Sequence, residues 1–401
     1  MNKKEVKKTP TLRFKGFTND WEQRKLGDIS EIIRGASPRP ISDPKWFNSN
    51  SNIGWLRISD VTAQHGRIQH LSQHISILGQ AKTRVISTPH LLLSIAASVG
   101  YPVINYVKTG VHDGFLIFEN PKFNIDFGFY WLAFYKHEWQ KFGQPGSQVN
   151  LNSSIVKKTN IELPDNVEQK AIVHLLKLID NCITLQQRKL ELLSIIKKTI
   201  IKHLFKLKNS DSLNLKFKTS CSQWNSKKLG EIAKFINGRA FKQSELLNKG
   251  KYPVLRVGNF YTNDKWFYSD LNLNKNKYAD KGDLLYTWSA TFGPHIWKGP
   301  KVIFHYHIWK IDFDPSTVNK TFLFYFLEAD KDNLLTNSNG STMIHITKSN
   351  MENKIINLPQ FSIQQNIGTF LSNLDYLINQ VKIKSKQLIQ LKRFLLQNMF
   401  I

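Results

Sequence analysis

The sequence predicts a mixed α/β protein built as an internal repeat, in which two similar globular units are each followed by a long helix. Three observations carry this expectation. The stretch "WEQRKLGDISEIIRG" from Trp21 returns as "WNSKKLGEIAKFINGRA" from Trp224, with the Trp, the Lys-Leu-Gly and the later Gly all displaced by 203 positions. Two tails repeat apolar residues at alternating steps of four and three, the heptad pattern of helices that pair along a narrow seam. Between openings and tails, short apolar runs are separated by Gly and Pro, as strands are. With 401 residues and 41% hydrophobic content, each half has apolar material for an ordinary core.

Taken in order, residues 1–14 read as a basic N-terminal tail that lacks the apolar centre of a signal peptide. Residues 15–163 form the first expected globular unit. In it "KLGDISEII" suits a short opening helix, "WLRISDV", "LLLSIAA", "YPVINYV" and "GFLIFE" suit strands, and "FGFYWLAFYKHEWQKF" suits a helix. Residues 164–208 are the first long helix, 209–222 a linker, 223–358 the second globular unit and 359–401 the second long helix. Within the second unit "YPVLRVGNF" answers "GWLRISDV", pairing Arg57 with Arg256 at an offset of 199. Further on, Gly100 pairs with Gly293 and His112 with His305 at 193, and Pro164 with Pro359 at 195. A drifting offset means loops of unequal length between shared elements.

The first heptad runs Ile172, Leu176, Ile179, Ile183, Gln186, Leu190, Leu193, Lys197, Ile200, Leu204. The second runs Ile367, Leu371, Leu374, Ile378, Val381, Ser385, Leu388, Lys392, Leu395, Met399, with a polar break and a Lys in matching places. Asp165 with Glu168, and Ser362 with Gln365, have the spacing of capping boxes at the two helix starts. Helix one ends close to where the second unit begins, and helix two leaves that same unit, so an antiparallel pair is expected. The competing reading is two amphipathic helices, each packed on its own unit.

The formal charge of +26 and 12% aromatic content point to a polyanionic partner, nucleic acid first. The most apolar run, "HLLLSIAASVGYPVINY", is broken by Ser, Gly and Pro, so no membrane span is expected. Cys182 and Cys221 have no neighbouring Cys or His at ligand spacing, so neither a disulfide framework nor a zinc site is supported, which fits a reducing cytoplasm. "PDNVEQK" has the letters of a metal-dependent nuclease, but its acidic residues fall within one helical turn of a cap rather than on converging strands. His305 and His307 in "HYHIW" alternate along an expected strand and read as core or groove-lining residues. No Gly-rich nucleotide loop, ATP motif or base-methylation motif is present, so no catalytic residue, metal site or cofactor is expected in this chain. Two basic units of unlike loop sequence, held apart by paired helices, would read an asymmetric bipartite DNA site.

The segments "LRFKGFTNDWEQRKLGDI", the Leu-Pro closures at Pro164 and Pro359, and "QQRKLELLSIIKKTIIKHLF" with its counterpart ending "LKRFLLQNMF" resemble the specificity subunits of type I restriction-modification systems. The resemblance covers essentially the whole chain. It implies two target-recognition domains, an antiparallel conserved helical spacer, and docking of two methyltransferase subunits and, through them, restriction subunits. S-adenosylmethionine, ATP and Mg would then belong to the partners. A stand-alone DNA-binding regulator, or a coiled-coil scaffold with basic ends, is the alternative. Candidate DNA-binding residues come from side-chain chemistry. Arg34, Arg39, Arg239 and Lys242 follow the opening helices, and Arg57 and Arg256 recur at matched positions within expected strands. Ser98, Tyr101, Thr291 and His295 flank the matched glycines, while Ser147, Gln148, Ser341 and Thr342 follow Gly146 and Gly340.

Overall fold

In the computed structural model the repeated segments become repeated sheets. The structure describes residues 9–87, 89–96, 99–139, 151–205, 224–261, 263–289, 291–337 and 346–401. The chain divides into two units: residues 1–187 with 384–401, and residues 188–383.

In unit 1 the five-stranded sheet has the spatial order Glu31–Arg34, Phe115–Glu119, Leu91–Ser94, Pro102–Asn105, Arg67–Ile68. A second sheet places Thr109–Val111 between Gly54–Trp55 and Arg84–Ile86. Unit 2 repeats the plan, with Ala233–Asn237, Ile308–Phe313, Leu284–Thr287 and Gly293–Ile296 in one sheet. Its other sheet runs Phe267–Ser269, Tyr252–Leu255, Val302–Phe304, Tyr278–Ala279. The halves differ where their sequence offset drifts: unit 1 has an extra strand at Arg67–Ile68, unit 2 one at Phe267–Ser269. Each unit is closed by an antiparallel pair, Glu22–Lys25 on Asn160–Leu163 and Asn225–Lys228 on Ile355–Leu358.

The central strands carry continuous apolar runs because both their faces are covered. In unit 1 Leu91, Leu93, Leu116 and Phe118 face the aromatic helix Ile125–Trp139, while Leu92, Val103 and Ile117 face the smaller sheet's core. In unit 2 Leu284, Tyr286, Trp309 and Ile311 pack against Lys320–Asn337 in the same way.

The long helices span Asn166–Leu204 and Phe361–Met399. Every position of the second heptad is buried or half-buried, and the first heptad follows the less exposed stripe of its helix throughout. In unit 1 Ile172 and Leu176 share a core with Leu395 and Met399, and Asp180 meets Lys392 at 2.6 Å. That order of contacts is antiparallel. Unit 2 is built likewise: Ile201 clusters with Ile367 and Leu371, and Lys197 meets Asp375 at 2.8 Å. The lysines that interrupt both heptads are therefore ion-paired in the seam. Each aspartate also accepts a hydrogen bond from a helix tyrosine, Tyr130 Oη to Asp180 at 2.8 Å and Tyr325 Oη to Asp375 at 2.6 Å.

Several local expectations are corrected. Arg57 and Arg256 lie at the N-caps of Ile58–Ala63 and Val257–Phe260 rather than in strands, with near-identical backbone angles (φ −121°, ψ 159° and φ −119°, ψ 160°). Strand pairing stops at Trp55 and Leu255, because Asp60 and Asn259 accept the arginine backbone N–H groups and start a turn. Within "HYHIW" only Ile308 and Trp309 enter the strand Ile308–Phe313; His305, Tyr306 and His307 form a tight turn before it, their three rings packed together, rather than alternating along a strand.

The capping boxes are also different. Asp165 accepts from Glu168 N at 2.8 Å, but the Glu168 carboxylate turns away to Arg13 and Trp21. Ser362 lies inside the second helix. The side chain that anchors both helix starts is a glutamine one position further on in the first case and one position earlier in the second. Gln169 donates to Pro164 O at 2.9 Å and accepts from Asn124 N, and Gln364 donates to Pro359 O at 3.0 Å and accepts from Asn319 N.

The end of the segment assigned to a basic tail is held: Leu12 N donates to Asn398 O at 2.8 Å, and the Arg13 guanidinium makes two bonds to Glu168 at 2.7 and 2.8 Å. Among the described residues no helix is long and apolar enough to cross a membrane.

Candidate nucleic-acid interface

Strand register decides which candidate residues meet. In unit 1 Arg34 lies opposite Leu116, Ser94 opposite Phe115, and Leu93 opposite Pro102. The turn after Arg34, the turn at His112–Gly114 and the loop from Ile95 to Tyr101 therefore leave the same end of the sheet. Trp55 runs parallel beside Gly110, so Arg57 departs toward that end as well. In unit 2 Asn237 pairs with Trp309, and Thr287 with both Ile308 and Gly293, which brings Arg239, the 305–307 turn and Thr291 to one end. His305 N donates to Leu255 O at 2.9 Å, placing Arg256 beside them.

The matched glycines explain how the turns close. A Cβ on Gly35 would lie 2.1 Å from His112 O, and one on Gly238 2.3 Å from His305 O, so only glycine lets these backbones approach. Around Gly35, Arg34 Nε donates to Asp113 O at 2.6 Å and Ser37 Oγ to the Asp113 carboxylate at 2.7 Å, while Arg39 pairs with that carboxylate. Burial alone would raise the Asp113 pKa. The Ser37 hydroxyl with Arg39 and Arg34 nevertheless holds it below the ordinary carboxylate value.

Around Gly238, Arg239 pairs with Glu245 and lies over Phe241, Lys242 N donates to Glu245, and Tyr306 N donates to Arg239 O at 3.0 Å. Burial, then His307 and Arg256, pushes His305 down to about 4. His295 stacks on Phe260 at 4.0 Å and meets Tyr261 Oη and Thr287 Oγ1. Burial, then Lys331, pushes it down to about 4 too. These imidazoles are neutral near pH 7 and present a donor and an acceptor rather than a charge.

Of the remaining candidates, Arg57 donates to Asp60 and to Ser72 Oγ, and Arg256 lies 4.4 Å over Phe267. Tyr101 is 41% exposed with Lys136 Nζ 3.3 Å over its ring, and Thr291 is exposed. Ser98, Ser147, Gln148, Ser341 and Thr342 lie outside the described residues, as does Cys221.

Two basic pairs escaped the sequence reading. Arg84 Nε donates to Arg34 O at 2.7 Å, and Lys277 Nζ donates to Asn237 O at 2.6 Å: the same position in each unit, beside the critical glycine. Lys136 and Lys331 likewise flank the matched Gly100 and Gly293, both at positive φ. The signal was present, since these pairs keep the offsets of 193 and 195 that relate the other repeated residues.

A chain that gathers arginine, lysine, tyrosine and neutral histidine at one sheet end in each of two repeated units, under a charge of +26, is a two-headed DNA-reading protein. The description "Type I restriction modification DNA specificity domain" matches residues 18–194 and again 221–392, and the chain belongs to that family. It is similar to the type I restriction enzyme MjaIX specificity subunit of Methanocaldococcus jannaschii, at 24% identity over 93% of this chain and 90% of the relative. The fold is similar to the S subunit of a type I restriction-modification system from M. genitalium, with TM-score 0.62 and 16% identity over 98% of this chain and 99% of that one. It is also similar to the HsdS subunit from Thermoanaerobacter tengcongensis, with TM-score 0.51 and 18% identity over 95% and 96% of the two chains. This is a specificity subunit, the non-catalytic, DNA-targeting component that assembles with other subunits of its restriction-modification system.

Proposed function

We propose that each sheet end reads one half of a split duplex target, and that the chain lends this choice of sequence to methyltransferase subunits carrying the chemistry. One observation carries the reading: equivalent positions hold different side chains. Unit 1 offers forked guanidinium donors at Arg34, Arg39 and Arg84, which suit guanine O6 and N7. Unit 2 offers Arg239 among Phe241, His305, Tyr306 and His307. Unlike readers at like places make the target asymmetric. Lys136, Lys277 and Lys331 are point charges suited to phosphates, so they fix register rather than sequence.

We further assign two methyltransferase subunits to each chain, because each unit carries its own copy of the antiparallel helix pair. Exposed Leu178, Leu185, Leu192, Tyr376, Leu377 and Phe394 supply apolar area on those helices for docking. S-adenosylmethionine, ATP and Mg are assigned to the partner subunits, and the cytoplasm to the complex.

The experiment is to map methylated motifs in a host with and without this chain, co-expressed with the modification subunits. A bipartite motif with two unlike halves is expected only in its presence, and an Arg34→Ala, Arg84→Ala variant should relax one half and leave the other intact. A motif unchanged by loss of the chain would overturn the reading. A complex that stays at one modification subunit per chain at every concentration would overturn the stoichiometry.

A further inference from the structure

Among the described residues of unit 1, the most exposed pair of neighbouring large apolar side chains is Ile77 and Leu78, at 83% and 62% exposure, on the single helical turn Ile77–Gln80. Their backbone is firmly held. Ser76 Oγ accepts from Gly79 N and donates to Lys45 O at 2.7 Å, and Ser76 N donates to Trp46 O at 2.8 Å. Gln80 Nε2 donates to Ile75 O and to Ser51 Oγ. Gly79 packs so tightly that a Cβ would lie 2.5 Å from Ile75 Cγ1 and 2.7 Å from Trp46 O. Two bare apolar side chains on a fixed frame form a wedge whose conformational cost of use is already met.

The surroundings of this wedge are cationic. Lys45 lies over the Trp46 ring at 4.6 Å, with Asp43 as its carboxylate neighbour. Lys82 follows the turn. Thr83 Oγ1 then donates to Ala36 O at 2.6 Å, and Arg84 donates to Arg34 O, which joins this segment directly to the sheet end that carries Arg34 and Arg39. An apolar tip beside that many cations does not suit a hydrophobic protein groove; it suits a duplex, whose phosphates take the charges while the base stack takes the tip. Proteins that kink DNA insert Ile, Leu or Phe between base steps in this manner, most readily at flexible pyrimidine–purine steps.

We propose that Ile77 and Leu78 insert at a base step of the half-target read by unit 1 and unstack it, so that this half is recognised partly through its deformability. The element that precedes the equivalent strand of unit 2 is Lys275–Lys277, which has no apolar tip. Unit 2 therefore grips its half without opening it, and the two halves of one target are read by different physics. This inference rests on the bipartite reading above.

The test uses the full chain assembled with its modification subunits and a duplex carrying the mapped motif, with 2-aminopurine placed at successive steps of each half. The expected result is a rise in fluorescence at one step, in one half only. An Ile77→Ser, Leu78→Ser variant, at positions too exposed to disturb the core, should abolish that rise and lose ten- to a hundred-fold in affinity. The slope of log affinity against log salt should stay unchanged, because no phosphate contact is removed. An Ile77→Leu, Leu78→Met variant should retain the rise. Unchanged affinity and fluorescence in the serine variant would overturn the wedge. So would a serine variant that binds DNA normally but no longer retains the modification subunits, which would assign the tip to a protein. A wild-type complex that fails to bind the mapped duplex at all would instead refute the bipartite reading, a result separable from the variants.

Discussion

At the scale of single residues, identical letters in the two halves acquire different environments. Trp21 is 4% exposed and Trp224 40%, although they open the same repeated phrase. Trp21 packs against Phe127 in the core and donates Nε1 to Glu168, which also binds the Arg13 guanidinium, whereas the position of unit 2 that matches Glu168 is Ile363, which offers no acceptor. Pair spacing along one half could not reveal this, because Arg13, Trp21 and Glu168 meet only once the long helix docks. Arg13 stays close to solvent, so Glu168→Ala strands no fully buried charge but leaves the Trp21 Nε1 and the guanidinium without their acceptor, and should cost about 1–3 kcal/mol in urea unfolding, while Ile363→Ala should act through a different route, loss of packing. The histidines give a second residue-scale expectation. His295 and His305 titrate at about 4 when folded, against 6.5 as the ordinary value. Between those pH values the unfolded chain binds more protons than the folded one, so stability is full above about 6.5 and falls as pH drops toward 4. A His295→Gln, His305→Gln variant should lose less stability than the wild type between pH 7.5 and 5 in parallel urea titrations; equal losses would show that other groups govern the acid limb.

Elements were the most legible scale, and for a reason. Heptads and apolar strand runs are local patterns whose period survives whatever they pack against, so the long helices and the strands at Leu91, Pro102 and Phe115 follow their sequence pattern. What local pattern cannot say is where a polar side chain will go. Capping spacing pointed to Ser362, yet Gln169 and Gln364 do the anchoring, because each reaches across to the start of its unit's aromatic helix, at Asn124 and Asn319. Arg57 and Arg256 sat in apolar runs that read as strands, but an Asx-type acceptor three residues on ended the strand. The seam lysines are a related case. In unit 2 Lys197 is clamped between Asp375 at 2.8 Å and Glu328 at 3.3 Å, a polar contact that only one antiparallel register satisfies. A charge-swapped Lys197→Asp, Asp375→Lys pair should recover most of what either single change loses, with a coupling of about 1 kcal/mol in a double-mutant cycle. Strict additivity would mean that apolar seam contacts alone set the register.

At the scale of the whole molecule, the repeat made the two-unit plan legible, while the unequal loops hid the extra strands and, among the cations at the sheet ends, Arg84, Lys136, Lys277 and Lys331. If the helices act as a ruler, one heptad added after Leu190 and another after Ser385 keeps both seams in phase and adds roughly 10 Å of helix. At about 3.4 Å per base pair, the methylated motif should gain about three unread base pairs with its half-sequences unchanged, although the added twist of roughly 100° will weaken binding. An extended, active complex that keeps the original spacer would refute the ruler. A different consequence follows from the bonding of Leu12 to Asn398 and the packing of Phe400 against Phe127 at 5.3 Å. Unit 1 needs residues 384–401, whereas unit 2 is continuous from 188 to 383. On the ribosome the unit written first must therefore wait for residues 384–401, roughly 10–40 s after its own residue 187 at ordinary translation speed, whereas the unit written second needs nothing beyond residue 383. A nascent chain cut at residue 383 and held on the ribosome by an unstructured linker long enough to clear the exit tunnel should accordingly show a protease-resistant second unit and a first unit still open to chaperones, its Phe127, Ile172 and Leu176 surface uncovered for want of residues 384–401.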